Sequence, residues 1–324
     1  MTEQEGLLSA FVLDGKGGGN EISWDDIRSW QPSIGTLWVH LDRAHPESGR
    51  WLREESGLDP LTCEALLAEE TRPRSVVSGE GLMVILRGVN LHPEADPEDM
   101  VSIRMWVDRA RVISLRTRSL MAVQELRETI ALNTGPKDAP GLLVRIASRL
   151  VDRMGPVIEG LDEQVDGLEE EVLTAQSYEL RTTLSSLRRQ AIALRRYIAP
   201  QREVMARLQT EQVPWLTDLD RGRLREVADR ITRYVEDLDS ARERASVTQE
   251  ELAGRLAEQM NKTMYVLSLV AAVFLPLGLL TGLLGINVGG IPGVESPWAF
   301  AIVCVVLVGI AVVQIVVFRK MKWL

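Results

Sequence analysis

The sequence predicts an α+β domain followed by a long stalk helix and two C-terminal transmembrane helices. Three observations carry that reading. Met264 to Leu284 and Ala299 to Phe318 contain no charged side chain; as a helix the first is about 31 Å long, enough to cross a bilayer core. Residues 1–135 alternate short β-branched or apolar runs with helical stretches, bounded by Gly, Asp, Asn and Pro. From residue 136 the apolar spacing is helical, and nothing between Thr217 and Leu284 forces a stop.

In chain order, strands are expected at Leu7 to Leu13, Thr36 to Leu41, Leu82 to Val89, Val101 to Val107 and Val112 to Leu115, the last two joined by a tight hairpin. Helices are expected at Trp24 to Trp30, Glu47 to Glu55, Leu61 to Glu69 and Ser119 to Leu132. Gly15 to Asn20 is glycine-rich without P-loop spacing and reads as a flexible connection. Asn133-Thr134-Gly135-Pro136 ends the domain. Long helices fill 136–217: Leu142 to Leu173 with a kink at Gly155-Pro156, then Tyr178 to Leu208. Val213-Pro214-Trp215 is a turn, and Thr217 or Asp218 caps the next helix. The stalk, 218–263, runs into the first span, 264–284, as one helix of about 66 residues and ~100 Å. A loop at 285–297, a second span at 298–318 and a basic tail at 319–324 complete the order.

Arg244, Arg255 and Lys262 precede the first span, Arg319, Lys320 and Lys322 follow the second, and the loop from Val288 to Pro297 has no basic residue. The positive-inside rule then places both termini in the cytoplasm and the loop outside. The acidic start, Met1 to Glu5, leads into no signal-type apolar run. Two cysteines, Cys63 and Cys304, provide no disulfide framework. A net charge of −9 argues against nucleic acid and suits the concentration of cations.

No reaction centre emerges. The three histidines, His40, His45 and His92, lack a second ligand at metal-site spacing. His40 lies in a strand, where a half-buried structural histidine is expected; His45 and His92 precede prolines and belong to loops. There is no nucleophile elbow, P-loop or Cys-x-x-Cys. No enzyme and no cofactor are expected.

The first span carries more information. Pro276 has no N–H to donate, so it frees the carbonyl of Ala272 and favours a bend, which a bilayer tolerates where neighbours or water satisfy the freed group. Gly278 and Gly282, four apart, permit close helix approach. Read back from the Asn287 end of the span, Gly278, Leu275, Ala271, Leu267 and Met264 share one helical face, a narrow and mainly apolar lining. Two spans cannot enclose a conduit, so a passage requires several copies around an axis. On the stalk, Leu224 to Leu256 supply an apolar stripe, while Glu236, Asp239, Glu243, Ser246 and Glu250 share another face. Taken alone that carboxylate row reads first as a solvated face; leading into a span, it also suits a water-filled vestibule.

Gly285-Ile286-Asn287 directly after a proline-bearing span, two C-terminal helices and a long stalk resemble the CorA-type metal-ion transporters, the two-span Gly-x-Asn superfamily. Glu70-Thr71-Arg72-Pro73-Arg74, Ala199-Pro200-Gln201-Arg202-Glu203-Val204, the continuation Val288-Gly289-Gly290-Ile291-Pro292-Gly293 and terminal Lys322-Trp323-Leu324 are similar to its ZntB-type zinc transporters. The resemblance extends over essentially the whole chain. It implies a CorA-like, funnel-shaped homopentamer with a cytoplasmic αβα domain, first spans around the pore and second spans outside. Gly285, Ile286 and Asn287 would then form the mouth. Five Asn287 amide oxygens can replace or bridge the water of an arriving cation without holding it too tightly.

The departures shift the expected cargo. Magnesium-type members carry Tyr before the tripeptide, Met-Pro-Glu in the loop and a pore threonine; here those positions hold Leu284, Ile291-Pro292-Gly293 and Gly278. Glu295 is a displaced acid that could collect cations outside. The resemblance therefore implies Zn2+ as preferred cargo, with cadmium, nickel and cobalt as further candidates. The residues alone do not select zinc, which favours His and Cys ligands absent from the entrance. No Asp, Glu or His lies in the first span, so proton coupling would use Glu295 or cytoplasmic carboxylates. The alternatives are a CorA-type magnesium or cobalt channel, and a membrane-anchored sensor or scaffold. The scaffold explains neither an amide at the membrane rim nor a glycine-rich outer loop.

Overall fold

The structure, a computed structural model, describes residues 5–174, 178–211, 213–285, 293 and 296–321. They form two compact units, Met1–Glu250 and Glu251–Leu324.

The first unit is built on a seven-stranded sheet: β1 (Leu7–Leu13), β2 (Gly19–Glu21), β3 (Thr36–Asp42), β4 (Arg74–Ser78), β5 (Gly81–Gly88), β6 (Val101–Val107) and β7 (Arg111–Arg116). The order is β2-β1-β3-β7-β6-β5-β4. The β3–β7 pair is parallel and the other neighbours are antiparallel. Leu37, Val39 and Leu41 of β3 face a core shared with α1 (Trp24–Ser29), α2 (Pro46–Glu54) and α3 (Pro60–Leu67), through Trp24, Ile27, Trp51, Leu52, Cys63 and Leu66. Helix α4 (Met121–Ala131) packs on α5 (Ala139–Asp152), which lies on the opposite face. A Cβ added at Gly88 would stand 2.7 Å from Leu150 of α5. Helices on both faces explain why β5 reads as a nearly continuous apolar run.

The strands and helices expected before residue 135 form within a residue or two of their predicted ends. Two strands were not legible. β2 is Gly-Asn-Glu, a polar tripeptide turned back onto β1 because Asp14 Oδ1 accepts from the amides of Lys16, Gly17 and Gly18 at 2.7, 3.0 and 2.9 Å. The Gly15 to Asn20 connection is thus an ordered hairpin turn running into a strand. β4 is a short edge strand held to β5 by the pair Ser78↔Gly81 across a turn that begins at Gly79, φ +59°.

His40 corrects another expectation: it is 1 % exposed, not half-buried, since a strand covered on both faces has no water side. Its Nδ1 meets Ser114 Oγ at 2.8 Å, where Trp38 Nε1 also donates at 2.9 Å. Burial, helped by Arg116 and Arg127, pushes its pKa down to about 3. His45, expected in a loop, is the N-cap of α2, accepting from the Glu47 amide at 3.2 Å.

The helical segment from Leu142 breaks where a kink was expected. α5 ends at Asp152 and α6 (Gly155–Thr174) begins at Gly155-Pro156, because a proline missing its N–H fits a first turn better than an interior. α7 (Tyr178–Thr210) continues through Pro200. The two cytoplasmic stretches that carried the family resemblance meet at Arg87. Its amide donates to Gln201 Oε1 at 2.6 Å, its guanidinium donates to the carbonyls of Met100 and Thr71 at 2.6 and 2.9 Å, and it stacks 4.0 Å from the Tyr197 ring. Those stretches are joints between sheet and helix.

α8 (Asp218–Leu284) has 67 residues. Thr217 caps it reciprocally: its Oγ accepts from the Asp220 amide and its own amide donates to Asp220 Oδ2, both at 3.2 Å. Leu224, Val227, Ile231, Val235, Leu238 and Ala245 are buried, as the apolar stripe requires. Arg244 holds α8 to α6 by donating to Asp162 and to both oxygens of Glu169, each at 3.0 Å, and also pairs with Asp166.

The second unit contains the end of α8 and α9 (Ala299–Lys320). Both helices are long and apolar enough to cross a membrane, and none of either apolar window is buried inside the chain. A core helix of a soluble protein would be covered. Such exposure of apolar surface is what a bilayer accommodates.

Candidate functional site

The two helices of the second unit have distinct faces. On α8 from Met264 onward the less exposed positions are Leu269, Ala272, Val273, Leu277 and Leu280; on α9 they are Ala299, Val303, Leu307, Ile310, Ala311, Gln314 and Phe318. Each set recurs at three- and four-residue steps, as a packed helical seam does. One hydrogen bond fixes the pairing: Gln314 Nε2 of α9 donates to the Ala272 carbonyl of α8 at 3.3 Å.

Met264, Leu267, Ala271, Leu275 and Gly278, the row read from the sequence, are all exposed; Met264, Leu267 and Leu275 are 57, 68 and 70 % exposed. At about 100° per residue this row lies roughly 180° around α8 from the seam. α9 therefore covers one side of α8 and leaves the row on the other. A Cβ built at Gly278 or Gly282 meets nothing within 4 Å, so α9 does not use the close approach those glycines permit. Between them, Thr281 folds its hydroxyl back onto the Leu277 and Gly278 carbonyls at 3.0 and 3.1 Å, which hides a polar group inside the apolar stretch. Gly285 closes the helix, its amide donating to the Thr281 carbonyl at 2.9 Å. Ile286, Asn287 and Glu295 lie outside the described residues.

The stalk carboxylates separate into two kinds. Glu236, Glu243 and Glu250, at seven-residue steps, are exposed. Asp239 is partly buried and paired with Arg195 of α7 at 2.6 Å, so it serves helix packing as well as surface charge. Partial burial, with Asp162 and Glu236 nearby, pushes the Asp237 carboxyl up. Among the described residues no three His, Cys, Asp or Glu side chains gather to hold a metal ion. A cavity of about 790 Å³ in the first unit is lined by Ser9, His40, Arg116 and Arg127, among others. Its buried His40 Nε2 and Ser9 Oγ have no hydrogen-bond partner among the described residues.

Sequence reasoning identified the freed Ala272 carbonyl but missed its donor. The signal was available: Gln314 is the one amide in the second apolar run, and a lone amide there needs a partner. Arg87 and Arg244 carried no comparable signal, since their partners are distant in sequence.

Residues 34–320 match the family described as CorA-like Mg2+ transporter protein. A Pseudomonas aeruginosa protein named divalent cation transporter CmaX is 43 % identical over 326 residues, covering 99 % of this chain and 98 % of that protein. The zinc transport protein ZntB of Pectobacterium atrosepticum is 38 % identical over 323 residues, covering 99 % and 97 %. The solved structure of full-length CmaX aligns with a TM-score of 0.88 at 42 % identity, covering 99 % of each chain. The CorA magnesium transporter of Methanocaldococcus jannaschii aligns with a TM-score of 0.79 over 97 % of this chain and 98 % of its own; at 18 % identity that is a likeness of fold. These relatives are named as transporters, and the αβ domain, the long helix and the two C-terminal apolar helices are the CorA-like fold. The chain belongs to the CorA-like Mg2+ transporter family.

Proposed function

We propose that this protein moves divalent metal cations, zinc in preference, across the inner membrane through a passage lined by the first spans of several copies, five on the CorA resemblance. The observation that carries this is the uncharged, exposed row of α8 turned away from α9. One protomer leaves that row without a neighbour, and a ring of copies would enclose it. A weakly interacting lining suits a partly hydrated ion that must leave as readily as it enters. Asn287 is assigned to the outer mouth, with Gly285 and Ile286 shaping it and Glu295 beside it. Glu236, Glu243 and Glu250 are assigned to the cytoplasmic vestibule, with Asp239 adding charge while it holds Arg195. Both termini are placed in the cytoplasm by the flanking basic residues.

The names of relatives support divalent cations generally, and the ZntB relatives support zinc. A magnesium reading is favoured by the family's own description. Uptake into liposomes, with zinc, cadmium, nickel, cobalt and magnesium tested with and without a proton gradient, decides among them. The proposal expects zinc uptake that excess magnesium does not suppress and that Asn287→Ala abolishes while assembly is retained. Flux unchanged in Asn287→Ala overturns the assigned mouth. Zinc uptake suppressed by magnesium favours the channel reading. No flux of any metal favours a membrane-anchored sensor.

A further inference from the structure

We propose that Gln314 is a positioning residue that holds the pore helix in its conducting shape by capping the backbone gap at Pro276; this rests on the transport reading above. Pro276 cannot donate to the carbonyl four residues earlier, so Ala272 O has lost its helical partner. In hydrocarbon no water replaces that partner, and an unsatisfied carbonyl is costly. Gln314 Nε2 fills the gap from the neighbouring helix at 3.3 Å.

The assignment of the amide follows from chemistry. Ala272 O can only accept, so the atom facing it must be the donating nitrogen. The other end of the amide, Gln314 Oε1, is buried with no partner among the described residues. A leucine at 314 would avoid burying that acceptor. An amide retained there at the expense of one unsatisfied oxygen marks the single bond it makes as the reason for its presence.

The position of the bond gives it a role in transport. Ala272 adjoins Ala271, one of the row residues, and Leu275 and Gly278 follow on the other side of the interrupted turn. A proline turn without its hydrogen bond has more than one accessible shape. A donor from α9 selects one of them, and so fixes where Leu275 and Gly278 stand relative to Ala271. The second span thereby sets the geometry of the first at the place where its own backbone is weakest.

The test compares full-length wild type, Gln314→Leu, Gln314→Glu and Pro276→Ala, with Gln314→Leu also placed in the Pro276→Ala background. Zinc flux in liposomes is measured across pH, and unfolding temperature in detergent. Gln314→Leu is expected to lower flux about threefold or more at every pH, the factor one interhelical hydrogen bond commands. Gln314→Glu can donate only when protonated. Its flux is expected to match wild type at low pH and to fall to the leucine level as the carboxyl ionises. Gln314→Leu is expected to lower the unfolding temperature in the wild-type background and much less with Pro276→Ala, where residue 276 supplies the missing N–H. Gln314→Leu at wild-type flux, a Gln314→Glu profile parallel to wild type, or equal destabilisation in both backgrounds overturns the proposal. Absent flux in wild type itself would strike the transport reading, while the unfolding comparison would still decide whether Gln314 caps the gap.

Discussion

Replacing Gly278 by leucine should separate stability from conduction. A Cβ at this position meets nothing within 4 Å, so the root of the added side chain has open space within its own protomer. Removing an interior helical glycine also reduces backbone freedom in the unfolded chain, a gain of roughly 0.7 kcal/mol on helix propensity. Stability should therefore hold or rise slightly. In a ring of copies the same side chains converge on the axis, where every tenfold loss of flux corresponds to about 1.4 kcal/mol of added barrier. We expect zinc flux in dye-loaded liposomes to fall at least about tenfold while the unfolding temperature in detergent does not drop. Gly309→Leu is the matched control. A Cβ there also meets nothing within 4 Å, and Gly309 lies roughly 140° around α9 from Gln314, on the side turned away from α8. Its flux should remain at the wild-type level. Wild-type flux in Gly278→Leu, or equal losses in both variants, would refute the reasoning.

His40 makes the protein acid-sensitive. Folded, it stays neutral down to about pH 3, whereas the unfolded chain protonates it near 6.5. The unfolded state binds more protons between those values, so the contribution is complete above about pH 6.5 and is lost as pH falls towards 3. At about 1.4 kcal/mol per pH unit the loss by pH 4.5 is roughly 3 kcal/mol. In unfolding of the full chain, His40→Gln should remove that part of the acid dependence; an unchanged pH profile contradicts the assignment. Arg244→Met leaves Asp162, Asp166 and Glu169 of α6 facing one another. Arg244 is 31 % exposed, so solvent screening limits the cost to about 1–2 kcal/mol. The unfolding temperature should fall most in dilute salt and recover in about 0.5 M salt, where the carboxylates are screened; a salt-independent drop would point to lost packing instead.

The periodicity of the sequence carried the architecture well. Strands covered on both faces appear as apolar runs, and the length of α8 followed from the absence of any stop between Thr217 and Leu284. Short polar elements escaped it. β2 is defined by what Asp14 does to three amides, and β4 by its neighbour, so neither has a strong composition of its own. His40 was misjudged because its exposure depends on helices far along the chain. The row on α8 was legible because helical spacing is local, and the structure sets it opposite the α9 seam. The partner of Ala272 was not, because the amide that reaches it comes from the other span. Arg87 shows why the family stretches around Thr71 and Gln201 could be recognised without being understood: their common partner is elsewhere in sequence.

The account depends on the exposed row of α8 meeting water while the seam stays dry. With Cys63 and Cys304 replaced by alanine, single cysteines at Met264, Leu267, Ala271, Leu275 and Gly278, and at Leu269, Val273, Leu277 and Leu280, would be challenged in membranes with a charged, lipid-impermeant thiol reagent. Modification of the first set with loss of zinc flux, and no reaction in the second, is the predicted result. Reaction confined to the seam positions, or no reaction at any row position, would contradict it.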